Sequence, residues 1–173
     1  MITLDVSKCS GCRRCEVNCS FFHSGRVGRN GSRIKVVKIE DQGIDVPVVC
    51  QQCQEHYCIK CPESAIAIGR MGEIIVSPTL CTACGTCEAQ CPIGAIELYN
   101  EIPYVCDLCG GDPRCVRECN LGAIAFEPTL TETVSLRDIR KRSRGLSPES
   151  KQLRFAEIVS QDVRAQWFRR RQK

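Results

Sequence analysis

Residues 81–96 read CTACGTCEAQCPIGAI, and this stretch decides the kind of fold that the chain can adopt. Its four cysteines are spaced C-x2-C-x2-C-x3-C, so one short loop can direct several thiolates at an iron–sulfur cluster. A proline fixes φ directly after the last cysteine, and a small-residue turn then leads into an Ala-Ile strand start. The stretch therefore predicts a cluster-binding loop, a short helix and a strand in succession.

Cysteines recur in fours along the chain. All sixteen cysteines of the 173 residues fall into four groups, with none left over. They are Cys9, Cys12, Cys15 and Cys19 in group one; Cys50, Cys53, Cys58 and Cys61 in group two; Cys81, Cys84, Cys87 and Cys91 in group three; and Cys106, Cys109, Cys115 and Cys119 in group four. Groups one and three have the spacing that bacterial ferredoxins use. Four sets of four thiolates predict four [4Fe–4S] clusters as the cofactors.

Disulfides and zinc are the two other structural uses of so many cysteines. Disulfides are disfavoured because the chain starts MITLDV, without the basic and apolar regions of a secretory signal, and a reducing compartment is therefore expected. Zinc is compatible with groups two and four taken alone. The runs in groups one and three favour iron. A zinc-stapled interaction or nucleic-acid-binding protein is the alternative from a different functional class.

The turn that follows the fourth cysteine is repeated in three groups. It reads CPESAI at 61–66, CPIGAI at 91–96 and CNLGAI at 119–124, whereas group one continues CSFFHS. In two-cluster ferredoxins the fourth cysteine of a run binds the other cluster, so the groups must act in pairs. Groups two and three begin 31 residues apart and have short apolar runs on both sides. This pattern predicts a complete small ferredoxin in residues 46–99.

The predicted fold is α+β, with two bacterial-type 2[4Fe–4S] ferredoxin modules, one inserted in the other, and a C-terminal helical tail. The outer module is split between residues 1–45 and 100–126, the inserted module covers 46–99, and the tail covers 127–173. The predicted strands are 3–6, 34–39, 102–105 and 123–126 in the outer module, and 46–49, 65–68, 74–76 and 95–98 in the inserted one.

Nested pairing of the groups gives four predicted metal-binding and cofactor-binding sets, and no catalytic residue. Site I is Cys9, Cys12, Cys15 and Cys119; site II is Cys106, Cys109, Cys115 and Cys19; site III is Cys50, Cys53, Cys58 and Cys91; site IV is Cys81, Cys84, Cys87 and Cys61. Sequential pairing, of group one with two and of three with four, is the alternative. Unequal gaps disfavour it, because 30 residues separate Cys19 from Cys50 but 14 separate Cys91 from Cys106.

The tail differs from the rest of the chain in charge and in pattern. Residues 127–173 contain 12 Lys or Arg and 6 Asp or Glu, whereas residues 1–126 contain 12 and 14. Two helices are predicted, one over Val134–Lys141 and one that opens at Ser147-Pro148-Glu149. The second helix carries an apolar stripe of Leu153, Ala156, Val159, Val163 and Trp167. The ferredoxin body or another subunit must cover this stripe, and we favour another subunit.

Other conspicuous residues stand close to the cysteines. His56 lies within group two and is either a proton-coupled tuner of a cluster or a loop histidine at the surface or in a subunit contact, and we favour the second interpretation. Residues 20–33 are rich in glycine and arginine but lack a P-loop or dinucleotide spacing, so a connector is favoured. Six cations stand beside the ligands in the sequence. They either favour cluster reduction, dock an acidic partner or are solvated charges. They are Lys8, Arg13, Arg14, Lys60, Arg114 and Arg117.

The four cysteine groups, with their Cys-Pro and Gly-Ala-Ile signatures, resemble the four-cluster ferredoxin-like subunits of large oxidoreductase complexes. Such subunits accompany molybdenum or tungsten pterin enzymes, such as formate dehydrogenases and dimethyl sulfoxide reductases, and some hydrogenases. The resemblance covers about residues 1–126, and it implies the nested pairing as well. In its compactness and in residues 38–50, KIEDQGIDVPVVC, the chain is similar to the small partner of tungsten aldehyde oxidoreductases or benzoyl-CoA reductases.

The residues and the resemblance together predict an electron-transfer subunit. Each predicted cluster keeps four cysteine ligands, so no iron is open to substrate and the chemistry belongs to a partner. The expected partners are a catalytic tungsten or molybdenum pterin subunit and either a flavin- or nicotinamide-linked subunit or a soluble ferredoxin, with no nucleic acid and no membrane insertion. We expect a cytoplasmic location, although such a subunit can be exported together with a partner. A free polyferredoxin carrier is the nearest alternative.

Overall fold

The computed structural model describes residues 1–128 and 134–165, in which short strands and helices alternate. The strands are β1 (Ile2–Leu4), β2 (Ile34–Ile39), β3 (Ile44–Val49), β4 (Ile66–Ile68), β5 (Ile74–Val76), β6 (Glu97–Tyr99), β7 (Ile102–Tyr104) and β8 (Ile124–Phe126). The helices are α1 (Arg14–Ser24), α2 (Thr86–Gln90), α3 (Arg114–Arg117), α4 (Arg137–Ser143) and α5 (Pro148–Val159). The predicted α+β class is confirmed. Among the described residues, none of the helices is both long and apolar enough to span a membrane.

The strands form antiparallel pairs rather than one large sheet. β1 pairs with β8, so that Ile2 lies opposite Phe126. The N-terminal amine of Met1 extends this contact by donating to the carbonyl of Glu127 over 2.7 Å. β4 pairs with β5 inside the predicted inserted module. The first pair closes the body of the chain on itself, because it joins residues 124 positions apart.

Two further hairpins cross the predicted module boundaries. β2 pairs with β3 from Ile34 opposite Val49 to Ile39 opposite Ile44. β6 pairs with β7 through a turn in which Asn100 and Glu101 both have positive φ, of 50° and 62°, as a two-residue type I′ hairpin requires. The two predicted modules are therefore joined by shared hairpins, and the insertion of one module in the other stays a prediction.

β3 lies between two apolar cores and contributes to both. Val46 and Val48 are buried in a core around cysteine groups two and three, together with Ile74 and Ile93. Val49 is buried in a second core around groups one and four, together with Ile2, Ile34 and Val36. This division follows from the strand geometry, since successive side chains point to opposite faces. All of these aliphatic side chains are at most 3% exposed.

The tail packs against the body of the same chain, which differs from the subunit contact that we favoured for its apolar stripe. Phe155 and Ala156 of α5, with Leu136 before α4, are buried in the core around groups two and three. Val163 is also buried, but Leu153 is 42% exposed, so the inward face is rotated from the predicted stripe. The body itself offers an apolar surface large enough to cover this face. Trp167 lies outside the described residues.

The two tail helices begin where side chains satisfy their free backbone amides. The predicted start at Ser147 is observed, because Ser147 Oγ accepts from the Ser150 amide over 3.3 Å and Pro148 is the first helical residue. The first helix begins at Arg137, three residues later than predicted. There the carboxylate of Glu55 accepts from the Leu136 amide over 3.1 Å and pairs with Arg137 over 3.0 Å.

Candidate metal centres

The thiols of site I surround a single cavity. It has a volume of about 270 Å³, and all four cysteines of the site line it. Burial raises the pKa of the Cys9 thiol, and the nearby thiols of Cys119 and Cys12 add to the effect. Cys119 Sγ also accepts a hydrogen bond from the Ala123 amide over 3.2 Å. A cavity with four convergent sulfurs and an amide donor suits a metal–thiolate group.

The thiols of site II come together from three separate stretches of the chain. Burial raises the pKa of Cys106 to about 12, and Cys19 and Cys109 are the neighbouring thiols that raise it further. Burial likewise raises the pKa of Cys115, which has the same three thiols around it. Cys19 Sγ accepts from the Arg33 amide over 3.3 Å. The last cysteine of group one therefore lies beside the cysteines of group four in the folded chain.

The thiols of site III are buried in Cys58 and Cys91 and partly buried in Cys50 and Cys53. Burial raises the pKa of Cys58 to about 12, and Cys91 and Cys53 are the nearest thiols that contribute. Burial also raises the pKa of Cys50, which has Cys91 and Cys58 among its neighbours. Cys91 Sγ accepts from the Ala95 amide over 3.3 Å, as Cys119 does from Ala123. The repeated turns CPIGAI and CNLGAI thus position a backbone amide to donate a hydrogen bond to the cysteine sulfur in the same way.

The thiols of site IV are partly open to solvent. A narrow cavity is lined by all four of them and by Gly85 and Pro103. Burial raises the pKa of Cys87 to about 11, with Cys81 and Cys61 nearby. Cys84 is exposed, and its hydrogen bond with Thr86 Oγ1, over 3.3 Å, lowers its pKa. This site combines a buried half with a half that faces solvent.

Metal binding must displace protons from these thiols. Cysteine ligates iron as the thiolate, and the raised pKa values mean that the buried thiols keep their protons at neutral pH when no metal is bound. All sixteen cysteines are free of disulfides. The donor set therefore fits iron–sulfur clusters, whose positive cores compensate the thiolate charge.

Neighbouring sites lie close enough for their cysteines to influence one another. Cys115 of site II has Cys15 of site I within electrostatic reach. Cys50 of site III has Cys106 of site II as its first thiol neighbour. Cys58 of site III has Cys87 of site IV nearby. The four sets of thiols thus follow one another through the molecule in the order I, II, III, IV.

His23 lies beside site II, and the sequence analysis did not predict it as a site residue. Its side chain is 8% exposed, and its Nε2 lies 3.7 Å from Cys109 Sγ and 3.6 Å from an Asp107 carboxylate oxygen. Burial and the positive charge of Arg33 lower the pKa of His23. A signal was present, because His23 follows Cys19 by four residues and so shares its face of α1. The imidazole of His23 is therefore placed to form a hydrogen bond with the Cys109 sulfur.

Of the other singled-out residues, Lys8, Arg13 and Arg14 line the cavity of site I. His56 adopts a left-handed conformation with φ of 41°, and its Nδ1 is 3.2 Å from the carbonyl of Gln54. Phe21 is 61% exposed and Phe22 is 47% exposed. The guanidinium of Arg114 lies over the ring of Phe22, 4.9 Å from the ring centroid.

The comparison with known proteins identifies the family. The 4Fe-4S binding domain matches residues 74–97, the stretch around group three. The polyferredoxin-like subunit of an aliphatic sulfonate oxidoreductase from Pyrococcus furiosus is 39% identical over 123 residues, which cover 69% of this chain and 70% of the relative. The chain belongs to the family of polyferredoxin-like iron–sulfur electron-transfer subunits. The predicted cofactor class and electron-transfer role are confirmed at this level, whereas the count of four clusters stays a prediction.

Other relatives of this polyferredoxin-like subunit are similar over most of their length. A ferredoxin of Methanocaldococcus jannaschii is 32% identical over 149 residues, covering 83% of this chain and 89% of the relative. A subunit of the anaerobic dimethyl sulfoxide reductase of Escherichia coli is 30% identical over 147 residues, covering 72% of this chain and 71% of the relative. Among solved structures, the active-site complex BamBC of benzoyl coenzyme A reductase is 28% identical, with 94% of this chain and 95% of its counterpart covered and a TM-score of 0.44.

Proposed function

We propose that this polyferredoxin-like subunit binds four [4Fe–4S] clusters at sites I to IV and passes single electrons between a catalytic oxidoreductase subunit and a second redox partner. One observation carries the proposal. All four cysteines of site I line one cavity and all four of site IV line another, and each of these sets combines cysteines of the two groups that nested pairing joins. Sequential pairing would instead require Cys19 beside group two, but the thiols around Cys19 are Cys106, Cys109 and Cys115.

The order of the sites supports a linear route for electrons. Three of the four cysteines of site II and two of site III are buried, whereas sites I and IV each include an exposed cysteine, Cys12 and Cys84 respectively. We infer that electrons enter at one exposed end and leave at the other. The buried middle of the route then keeps water and small oxidants away from sites II and III.

The chain's own residues hold the ligands and set their surroundings. Amides of Arg33, Ala95 and Ala123 donate to three of the ligand sulfurs and stabilise the thiolate form. Aliphatic side chains such as Val48 and Val49 exclude water between sites II and III. When bound, each cluster supplies the capacity to accept and release one electron. No side chain in these sites is arranged for substrate chemistry among the described residues.

The proposed partner is a catalytic oxidoreductase subunit. Two relatives are subunits of named oxidoreductases, one for aliphatic sulfonates and one for dimethyl sulfoxide. We propose a tungsten or molybdenum pterin subunit as the catalytic partner, and a flavin- or nicotinamide-linked subunit or a soluble ferredoxin as the other. The exposed outer face of the tail, which includes Leu146 and Leu153, is the proposed contact for the catalytic subunit.

Anaerobic purification with chemical and spectroscopic analysis tests the ligand sets. The intact chain should contain about sixteen iron and about sixteen acid-labile sulfide atoms, whereas zinc without sulfide would overturn the proposal. Cys19→Ser should remove the same component of the reduced electron paramagnetic resonance spectrum as Cys109→Ser, because both belong to site II. Cys12→Ser, from the same group as Cys19, is the matched control and should remove a different component. If Cys19→Ser instead removed the component lost in Cys53→Ser, pairing would be sequential.

A further inference from the structure

Lys151 of α5 is a buried cation held against a cluster-bearing helix. Its side chain belongs to a residue that is 3% exposed, and its Nζ donates to the carbonyls of Glu88 and Ala89 over 3.1 and 2.8 Å. These are carbonyls of the last turn of α2, which no later amide of that short helix can satisfy. α2 contains Cys87 and ends at Cys91. The tail therefore places a positive charge beside a helix whose cysteines belong to both site III and site IV.

The charge of Lys151 acts on Cys91 in particular. The ammonium of Lys151 and a thiolate at Cys91 attract each other. Burial is the larger effect on both groups and lowers the pKa of Lys151. The Glu88 carboxylate is close enough to support the ammonium, and it also accepts from the Leu98 amide over 2.8 Å.

Arg140 of α4 is a second cation on the same side. Its Nη2 donates to Gln90 Oε1 over 2.5 Å, and its guanidinium lies 4.1 Å from the ring centroid of Tyr57. Tyr57 directly precedes Cys58, a ligand of site III, and Gln90 directly precedes Cys91, another. Two neighbouring cations from the tail therefore lie beside site III.

Site I has the cations Lys8, Arg13 and Arg14 along its cavity, but the equivalent helix is arranged differently. α3 contains Cys115 and leads to Cys119 just as α2 leads to Cys91. Among the residues that the structure describes, no lysine or arginine side chain donates to the backbone carbonyls of α3, and Arg117 pairs with Asp112 instead, over 2.9 Å. The same local unit thus carries a buried cation in one copy and none in the other.

We propose that Lys151, assisted by Arg140, is a positioning residue that raises the reduction potential of the cluster at site III. This inference rests on the proposed function, because it takes site III to hold a cluster. Reduction adds one electron from the redox partner and no proton, so the net negative charge of the cluster and its thiolates grows by one. A nearby cation stabilises the reduced form more than the oxidised form, and weak screening in the interior strengthens the effect.

An anaerobic redox titration, followed by electron paramagnetic resonance, tests the proposal. Lys151→Met keeps the aliphatic stem and removes the charge, and it should shift the midpoint potential of one component downward while the other three stay in place. Lys151→Arg should keep that potential close to the original value. Arg154→Gln is the matched control, because Arg154 lies on the same helix with 44% of its side chain exposed and pairs with Glu157 over 3.1 Å. It should leave all four potentials unchanged.

The outcomes separate the inference from the proposed function. The shifted component must be the one that Cys53→Ser removes, since Cys53 belongs to site III. Unchanged potentials in Lys151→Met, or an equal shift of all four, would overturn the inference and leave the ligand sets intact. A Cys53→Ser protein that keeps every component would instead overturn the proposed site III. Should Lys151→Met fail to hold its clusters, Arg140→Gln decides by the same criterion, with a downward shift of the same component expected.

Discussion

At the scale of single residues, Gly94 and Gly122 occupy the same place in two copies of one turn. Both have positive φ, of 64° and 63°, in the sequences CPIGAI and CNLGAI. A Cβ at Gly94 would overlap the carbonyl oxygen of Pro148, the first residue of α5, whereas a Cβ at Gly122 would meet nothing within 4 Å. One glycine is required by its backbone alone, and the other also by the close approach of the tail.

Substituting these glycines should separate the two requirements. Gly122→Ala should cost about 1 kcal/mol, because an L-residue is strained at positive φ. Gly94→Ala carries the same strain and must also push α5 away, which adds about 1–3 kcal/mol. The thermal midpoint of the holoprotein, followed anaerobically by cluster absorbance, should therefore fall further for Gly94→Ala. Equal midpoints for the two variants would show that α5 does not rest on this turn.

The residue scale also shows what pattern reasoning missed. The repeat of Gly94 and Gly122 was visible in the sequence, but not the contact that distinguishes them. His23 was likewise visible, four residues after Cys19, yet Cys109 and Asp107 approach it from more than 80 positions away. Local spacing reveals which residues share a helix face, but not what another part of the chain brings to that face.

At the scale of elements, α4 and α5 hold the region of sites III and IV from outside. Ser143 Oγ donates to the Pro92 carbonyl over 2.7 Å, and Gln152 Nε2 donates to the Gly94 carbonyl over 2.8 Å. Gln152 also reaches Glu97, which pairs with Lys35 of β2 over 2.9 Å. The tail is thus part of the folded body, in addition to any contact that its outer face makes.

Removing a buried side chain of α5 should loosen this region first. Phe155 is 4% exposed in the core around groups two and three, so Phe155→Ala should destabilise the protein by about 3 kcal/mol or more. Iron should then be released to an anaerobic chelator faster than from the unmodified protein, with the components of sites III and IV lost before those of sites I and II. Leu153→Ala is the matched control, since Leu153 is 42% exposed on the same helix. Release at the same rate in both variants would contradict a holding role for α5.

The elements themselves could be predicted well from the sequence, but their pairing could not. Each of the eight predicted strands overlaps an observed one, because short apolar runs bounded by turn residues are local signals. The pairing of β2 with β3 and of β6 with β7 crosses the predicted module boundaries at residues 45 and 99. A short connection between two strands favours a hairpin, and the cysteine groups alone do not indicate this pairing.

At the scale of the whole molecule, the cysteines are part of both apolar cores. Cys15, Cys19, Cys106 and Cys115 are buried in one core, and Cys58, Cys87 and Cys91 are buried in the other. Each proposed cluster would connect stretches that are far apart in sequence. Without clusters, the same positions hold protonated thiols that contribute little to joining those stretches.

Removal of the iron should therefore unfold most of the chain. After treatment with a chelator under anaerobic, reducing conditions, far-ultraviolet circular dichroism should fall and limited proteolysis should become rapid throughout residues 1–126. The same chelator saturated beforehand with iron is the control and should leave both measurements unchanged. An apoprotein that kept the dichroism of the holoprotein would show that the apolar cores are sufficient by themselves.

The spacing of the cysteines determined the cofactor chemistry, because the reach of one short loop decides which thiols can act on one cluster. The strands and the start of α5 followed from equally local signals. The remaining features depend on the folded chain. β3 lies between two apolar cores, and α5 packs against the body. His23 lies beside Cys109, and Lys151 donates to carbonyls of α2. These contacts join positions far apart in sequence, and they depend on packing and charge that arise only when the chain closes on itself.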